Sequence, residues 1–261
     1  MDIKMIVCDL DGTLLRSDKT VSERTLDVLA KCRQRGIKFA VATARSKFNL
    51  EKVMDEVMPD VLIYHGGAVA MANGVKLRES IMDSDLATKL MASILKRGAT
   101  RFSGESDEGY FYYGERISYA DFLEGLGLEV AEIDPGNTSL PPLHKIGAIV
   151  DVDKAKEVLE AHPEVGMIAY TGESWVRFAL KDATKWRAIE AVAAHLGIDT
   201  ANIAAFGDDW NDVEMIENCG IGVAMANGID QAKAVANFVC ASNDDDGIAQ
   251  WIENHLRRVG S

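Results

Sequence analysis

At 261 residues the chain is long for one domain, and with 48 % hydrophobic and 26 % charged residues it has the balance of a globular protein with a sizeable core, not a disordered or fibrous one. A formal net charge of −13 repels nucleic-acid phosphates and anionic lipid, which argues against nucleic acid and membrane as partners and means that an anionic substrate needs a local cation. Four scattered cysteines, Cys8, Cys32, Cys219 and Cys240, lack CxxC or metal-ligand spacing and read as buried thiols of a reducing compartment; with no apolar leader or membrane-length run, the expected location is the cytoplasm.

The first expected element is a buried strand, Ile3 to Cys8. Ser22 caps a helix to about Arg35 that stops at Gly36 and turns Val21, Thr25, Leu26, Leu29 and Ala30 toward a sheet. Lys38 to Ala42 is the second strand. Ser46 caps a helix through about Met58, closed by Pro59, and Val61 to Tyr64 is a third strand ending at Gly66-Gly67. Such alternation makes parallel βα units. From about 82 to 182 the texture changes: aromatics (Phe102, Tyr110 to Tyr113, Tyr119, Phe122) and the turn cluster Asp134-Pro135-Gly136-Asn137 accompany shorter runs such as Lys145 to Val150 and Trp175 to Leu180. An inserted α+β domain is expected there. The first pattern then resumes, with Lys185 to Leu196 helical and Ile203 to Phe206 and Gly220 to Ala224 as short buried strands. The expected fold class is therefore α/β, a Rossmann-like parallel sheet core over 1–81 and 183–261. The insertion at 82–182 is placed over the strand ends, where a lid belongs.

Asp9-Leu10-Asp11-Gly12-Thr13 sets two carboxylates two residues apart at the end of the first strand, where side chains alternate unless the chain turns, and Gly12 supplies the turn. Open α/β sheets bind ligands beyond the carboxyl ends of their strands. Thr43-Ala44-Arg45 follows the second strand with a hydroxyl and backbone N–H groups at a helix start, a natural phosphate site, although an ordinary cap is individually the more common use of such residues. Lys185 opens a helix, where an ammonium opposes the helix dipole and so calls for a local reason. Gly207-Asp208-Asp209-Trp210-Asn211-Asp212 collects three carboxylates and an amide. Asn211 or Asp212 can cap a helix there, and the acids beside Asp9 also suit a hard divalent cation such as Mg2+ with substrate phosphate.

The ordered set of Asp…Asp, Thr, Lys and Asp…Asn-Asp resembles the haloacid dehalogenase-like phosphatase superfamily, whose four motifs match Asp9 to Thr13, Thr43, Lys185 and Asp208 to Asp212. The place of the insertion, between the second and third motifs, resembles the Cof-type subgroup with its type IIB α/β cap. Ile221 to Asn227 and Asn243 to Gly247 resemble that subgroup's tail segments. Three positions depart from the usual pattern: Ala44 replaces the glycine of Thr-Gly-Arg, Trp186 the glycine after the lysine, and His65-Gly66-Gly67-Ala68 the Asn-Gly-Ala after the third strand. The resemblance implies a Mg2+-dependent phosphatase acting on small phosphomonoesters, sugar phosphates first. It implies Asp9 as the nucleophile that forms an aspartyl-phosphate and Asp11 as acid-base. Mg2+ would be held by Asp9, the Asp11 backbone carbonyl and Asp208. Phosphate would meet Leu10, Thr43, Ala44, Lys185 and Asn211, while Asp212 supports Lys185 and the loop. Arg45, His144, Lys145 and Arg177 are candidates for contact with the leaving group; solvated strand residues are an even alternative for the last three.

Other readings use the same residues. A phosphomutase returns the phosphoryl group to sugar, but sugar mutases of this superfamily carry a small cap between the first two motifs, and only 29 residues separate Thr13 from Thr43, so hydrolysis is preferred. A phospho-acceptor module of the receiver type arranges acids, Thr and Lys around Mg2+ in another order and without such an insertion. A non-catalytic sugar-phosphate-binding protein has no need of both Asp9 and Asp11.

Overall fold

Every residue of β1 (Met5–Cys8) is buried, because this strand runs through the middle of an eight-stranded sheet covered on both faces. The computed structural model describes residues 2–116, 120–169 and 174–258, so Tyr119 lies outside the described residues. Ser22 caps α1 (Glu23–Gln34) by accepting the Thr25 backbone N–H, and Gly36, at φ 76°, ends the turn that follows. The buried stripe of α1 is Thr25, Val28, Leu29 and Cys32. Leu26 is only half-buried and Ala30 is exposed, since both lie one step round the helix from that stripe. β2 (Lys38–Ala42) and β3 (Val61–Tyr64) form where expected.

The single helix expected from Ser46 is instead a 3-10 turn, Lys47–Asn49, followed by α2 (Glu51–Val57). The Ser46 hydroxyl donates to the Glu105 carboxylate and so caps nothing. A hairpin follows β3: β4 (Val69–Ala72) and β5 (Val75–Glu79), joined by Asn73-Gly74, both with positive φ as a tight two-residue turn requires. Then come α3 (Ser84–Lys96), β6 (Arg101–Glu105), β7 (Gly109–Tyr113), α4 (Ala120–Gly125), β8 (Glu129–Glu132), β9 (Lys145–Ile149), α5 (Val152–Ala161), β10 (Val165–Ala169) and β11 (Trp175–Leu180). The chain closes with α6 (Lys185–Leu196), β12 (Ile203–Gly207), α7 (Val213–Asn218), β13 (Ile221–Ala224), α8 (Asp230–Val235), β14 (Phe238–Val239) and α9 (Gly247–Arg258).

These elements divide into two compact units, one of residues up to Arg45, Leu50–Arg78 and Thr184 onward, the other of Ser46–Asn49 and Glu79–Ala183. The first unit holds the sheet β14-β13-β12-β1-β2-β3-β4-β5, parallel from β14 to β3 and antiparallel at β3 and β4. On one face α6, α7 and α8 cover Met5, Val7, Ala40, Ala42, Val61 and Ile63, and Trp186 packs at the border of this core. On the other, α1 and α9 pack together and Trp251 meets Phe206 edge-on. Cys8 pairs in register with Phe206 and with Val41, so Asp9, Asp208 and Thr43 leave the sheet at neighbouring strand ends.

The second unit is a six-stranded sheet, β10-β11-β9-β6-β7-β8, antiparallel except between β7 and β8. Its apolar face, with Phe102, Ile146, Ala148, Val176 and Phe178, lies beneath α3 and α5. The register puts Ser103, Lys145, Gly147 and Arg177 on the opposite face, where Tyr110 and Tyr112 pack with Phe48 and Leu123. The fold is thus α/β, a Rossmann-like parallel core with an inserted α+β unit. Cys8, Cys32, Cys219 and Cys240 are buried and unbridged, and among the described residues no helix is long and apolar enough to cross a membrane.

Candidate active site

The strand ends of the first unit bring Asp9, Lys185, Asp208 and Asp212 together. Asp9 follows β1 and is 6 % exposed. Lys185, wholly buried at the first position of α6, donates to Asp9 Oδ1 at 2.6 Å and to Asp212 Oδ1 at 2.5 Å. That accounts for a lysine at the unfavourable end of a helix: the two carboxylates outweigh the dipole and its own burial, and they raise its pKa. Asp212 Oδ2 accepts the backbone N–H groups of Asp208 and Asp209, so both of its oxygens are occupied. Asp208 Oδ1 accepts the Thr13 hydroxyl at 2.5 Å. The remaining oxygens of Asp9 and Asp208 accept no hydrogen bond among the described residues.

Charge in this cluster is unbalanced. Asp9, Asp208 and Asp212 offer carboxylate oxygens within 4.8 Å of one another, against the single ammonium of Lys185. Burial pushes the Asp208 carboxyl up to about 6, with the negative charge of Asp212 adding and the Thr13 hydrogen bond opposing. Asp9 is raised too, by burial first, with Asp212 and Asp208 adding to it and Lys185 working against it. A surplus of buried carboxylate beside two unengaged oxygens is a donor set that suits a hard divalent cation.

Gly12 permits this approach. It sits at φ 79°, and a Cβ there would run into the Asp208 carboxylate. The loop then coils back, with Leu14 N–H on the Asp9 carbonyl and Leu15 N–H on that of Leu10. Asp11 points elsewhere: its carboxylate takes Arg45 Nε at 2.7 Å and Nη2 at 2.6 Å, and Lys19 Nζ at 2.7 Å. Partial burial alone would raise its pKa, but the hydrogen bonds from Arg45 and Lys19 outweigh that and hold it below the usual carboxylate range.

Thr43 is buried, and its hydroxyl accepts the Arg45 backbone N–H at 3.1 Å. No α-helix opens at this loop, so the helix-end contribution expected from Thr43-Ala44-Arg45 is absent; the loop is held instead by the turn at His65–Gly67. There His65 N–H bonds the Arg45 carbonyl and Gly66 N–H that of Thr43. A Cβ at Gly67, φ 100°, would strike the Thr184 backbone, so this glycine lets the turn lie against the start of α6. In the last loop the cap is Asp209, not Asn211 or Asp212: Asp209 and Asp212 form a reciprocal capping box around the short turn Trp210–Asp212. Asn211 is half-buried on that turn.

His144, Lys145 and Arg177 belong to the second unit. His144 is buried with Nε2 2.9 Å from Glu79, Lys145 pairs with Glu105 at 3.2 Å, and buried Arg177 donates to the Ala183 carbonyl at 3.2 Å. These are internal partners and not the solvated positions held open for them. Sequence reasoning missed Lys19, whose turn position carries no signal. Asn227 and Asn243 were noted only as parts of the family-like tail segments, without their contacts: the Asn227 amide donates to the Gly12 carbonyl at 2.8 Å and that of Asn243 to the Leu15 carbonyl at 2.9 Å.

Residues 6–252 match the family model of the haloacid dehalogenase-like hydrolases, and the chain belongs to that family. Within it the chain is a phosphatase of the Cof type, as its four motifs and the place of the insertion led us to expect. Two Bacillus subtilis (strain 168) proteins, the 5-amino-6-(5-phospho-D-ribitylamino)uracil phosphatases YwtE and YitU, are each 26 % identical to it over 283 residues, spanning 97 % of this chain and 98 % and 97 % of their own. Among solved structures, the subclass IIB sugar phosphatase BT4131 superposes with a TM-score of 0.82 at 23 % identity, covering 97 % of this chain and 98 % of its own, and shares the fold.

Proposed function

We propose that the chain hydrolyses small phosphomonoesters, sugar phosphates foremost, in a Mg2+-dependent reaction through an aspartyl-phosphate on Asp9, and that it works in the cytoplasm. The observation that carries this reading is the buried Asp9 carboxylate, one oxygen fixed by Lys185 and the other unengaged beside Asp208. The names of YwtE, YitU and BT4131, two phosphatases of a phosphoribityl compound and a sugar phosphatase, support the substrate class.

Asp9 attacks phosphorus with one carboxylate oxygen, and the bond from phosphorus to the ester oxygen breaks as Asp11 gives that oxygen a proton. Water then attacks the aspartyl-phosphate, Asp11 takes the water's proton, and inorganic phosphate leaves. Lys185 has a third N–H beyond those on Asp9 and Asp212, and it serves a phosphoryl oxygen together with Thr43, Asn211 and the backbone of Leu10 and Ala44. Asp9, the Asp11 carbonyl and Asp208 would hold Mg2+, which supplies positive charge against the repulsion between carboxylate and phosphate. Asp212, with both oxygens occupied, keeps Lys185 and the loop in place. As it stands Asp11 is ready to be the base; to act as the acid it must exchange its Arg45 contact for a proton.

Excess EDTA is expected to abolish phosphate release and added Mg2+ to restore it. Asp208→Ala should raise the Mg2+ needed by roughly tenfold or more. Asp209→Ala, which removes only a cap, should change it far less. Full turnover in EDTA would overturn the metal assignment, and a panel of phosphate esters read by phosphate release ranks the substrates.

Residues 82–182, as a cap, select the leaving group, with Lys145 and Arg177 on one sheet face as the polar groups for it. Arg45, bound to Asp11, is the corresponding candidate from the first unit. A chain in which a short linker replaces 82–182 is expected to hydrolyse p-nitrophenyl phosphate while losing its preference among sugar phosphates. A folded core that keeps the full rank order shows that selection lies elsewhere.

A further inference from the structure

Two segments that the proposed chemistry leaves without a part, the turn Met225 to Ile229 and the run Asn243 to Asp246, both touch the loop that follows β1. Asn243 is buried, and its side-chain amide donates to the Leu15 carbonyl at 2.9 Å. Its backbone N–H donates at 3.1 Å to the Asn227 side-chain oxygen, and the Asn227 amide nitrogen donates to the Gly12 carbonyl at 2.8 Å. Asp244 takes both the backbone N–H and the hydroxyl of Ser17, at 2.8 and 2.7 Å, and Asp246 pairs with Arg16 at 2.7 Å. The same turn also grips the loop that follows β12: Ile229 N–H bonds the Asp208 carbonyl at 2.8 Å and Met225 N–H bonds that of Gly207 at 3.1 Å. The two loops meet where the Thr13 hydroxyl reaches Asp208.

We propose that Asn227 and Asn243 are positioning residues, an amide relay that sets the loop carrying the Asp11 carbonyl and Thr13 against Asp208 and thereby sets the affinity of the acid cluster for its divalent cation. This rests on the reading of Asp9, Asp11 and Asp208 as the cation's ligands. The relay needs a group that donates and accepts at once: Asn227 accepts from Asn243 and donates to Gly12 through the two ends of one amide, and neither alanine nor a carboxylate can do both. Groups that orient ligands without touching the ion change metal affinity by about 10- to 100-fold when removed. The lower end is expected for Asn227, which is exposed and whose bonds compete with water.

The test is isothermal titration of Mg2+ into the full chain without substrate, paired with urea unfolding in EDTA. Asn227→Ala is expected to weaken Mg2+ binding about tenfold while leaving the urea midpoint in EDTA close to that of the unmodified chain. Asn243→Ala should weaken binding at least as much and also lower the midpoint, because it leaves the Leu15 carbonyl unmatched. Asn243→Ala keeps the backbone N–H that Asn227 accepts, and the two side chains hold different carbonyls of one loop, so the double variant should bind Mg2+ more weakly than either single variant. Asn227→Ala with unchanged Mg2+ affinity overturns the relay, whatever its effect on stability. If the unmodified chain takes up no Mg2+, the ligand reading itself fails and the relay with it.

Discussion

Asp9→Asn is expected to remove nearly all phosphate release, a loss on the order of a thousandfold or more, as for other enzymes deprived of a covalent nucleophile. An amide is a poor nucleophile and carries no charge for a cation, so it fails in both roles proposed for Asp9. The fold should survive the change. Burial and the neighbouring carboxylates of Asp212 and Asp208 already disfavour the charged form of Asp9, and the Asn oxygen can still accept the Lys185 hydrogen bond at the Oδ1 position. Lys185 also keeps its ion pair with Asp212. Urea unfolding should therefore show a stability near that of the unmodified chain, and intact-mass analysis after rapid quench should show no phosphate adduct. Turnover within tenfold of normal would place the nucleophile elsewhere.

Asp11→Asn is expected to split substrates by leaving group. The amide has no proton to give a departing alkoxide, and loss of such an acid costs on the order of a hundredfold or more. Sugar and alkyl phosphates should show that loss in the phosphorylation step, whereas p-nitrophenyl phosphate, whose phenolate leaves unaided, should show a much smaller one. Water attack also loses its base, so the aspartyl-phosphate should accumulate on Asp9 and be visible by rapid quench and mass spectrometry. The variant also breaks the two-pronged contact with Arg45, because an amide offers one oxygen where the carboxylate offers two. Arg45→Lys separates this effect: it leaves the acid in place while removing the planar fork. Equal slowing of good and poor leaving groups in Asp11→Asn would take the acid role from Asp11.

The parallel core was readable because each element announced its own ends. Ser22 and Gly36 bracket α1, the run Lys38 to Ala42 is a strand to the residue, and Lys185 to Leu196 shows apolar residues at helical spacing. The β4–β5 hairpin carried a signal that went unused, Asn73-Gly74 between apolar runs. Ser46 misled for a physical reason: a serine before a helical pattern caps only if its hydroxyl has no better partner, and here Glu105 takes it. In the site, sequence placed Asp9, Thr43, Lys185 and Asp208 at strand ends and helix starts, and register brings those ends side by side. The contact of Lys185 with Asp212 was expected only through the resemblance to the family, and that of Asp11 with its cations was not expected at all. The contacts of Asp11 with Arg45 and of Lys185 with Asp212 join residues far apart in the chain, and that with Lys19 spans a loop, so no spacing rule encodes them.

The pairing of Met5 with Ile203 sets an order on how the protein is made. β1 leaves the ribosome long before β12, which completes its second edge. The six strands of the second unit lie in one unbroken stretch, so they can close on each other while β1, already able to pair with β2, still waits for its other neighbour. Pairings between such distant strands form slowly, and an apolar edge left open invites pairing with other chains. Asp9 is therefore synthesised long before Asp208 can join it, and the hazardous interval in this protein's biogenesis is the time taken to translate everything between β1 and β12.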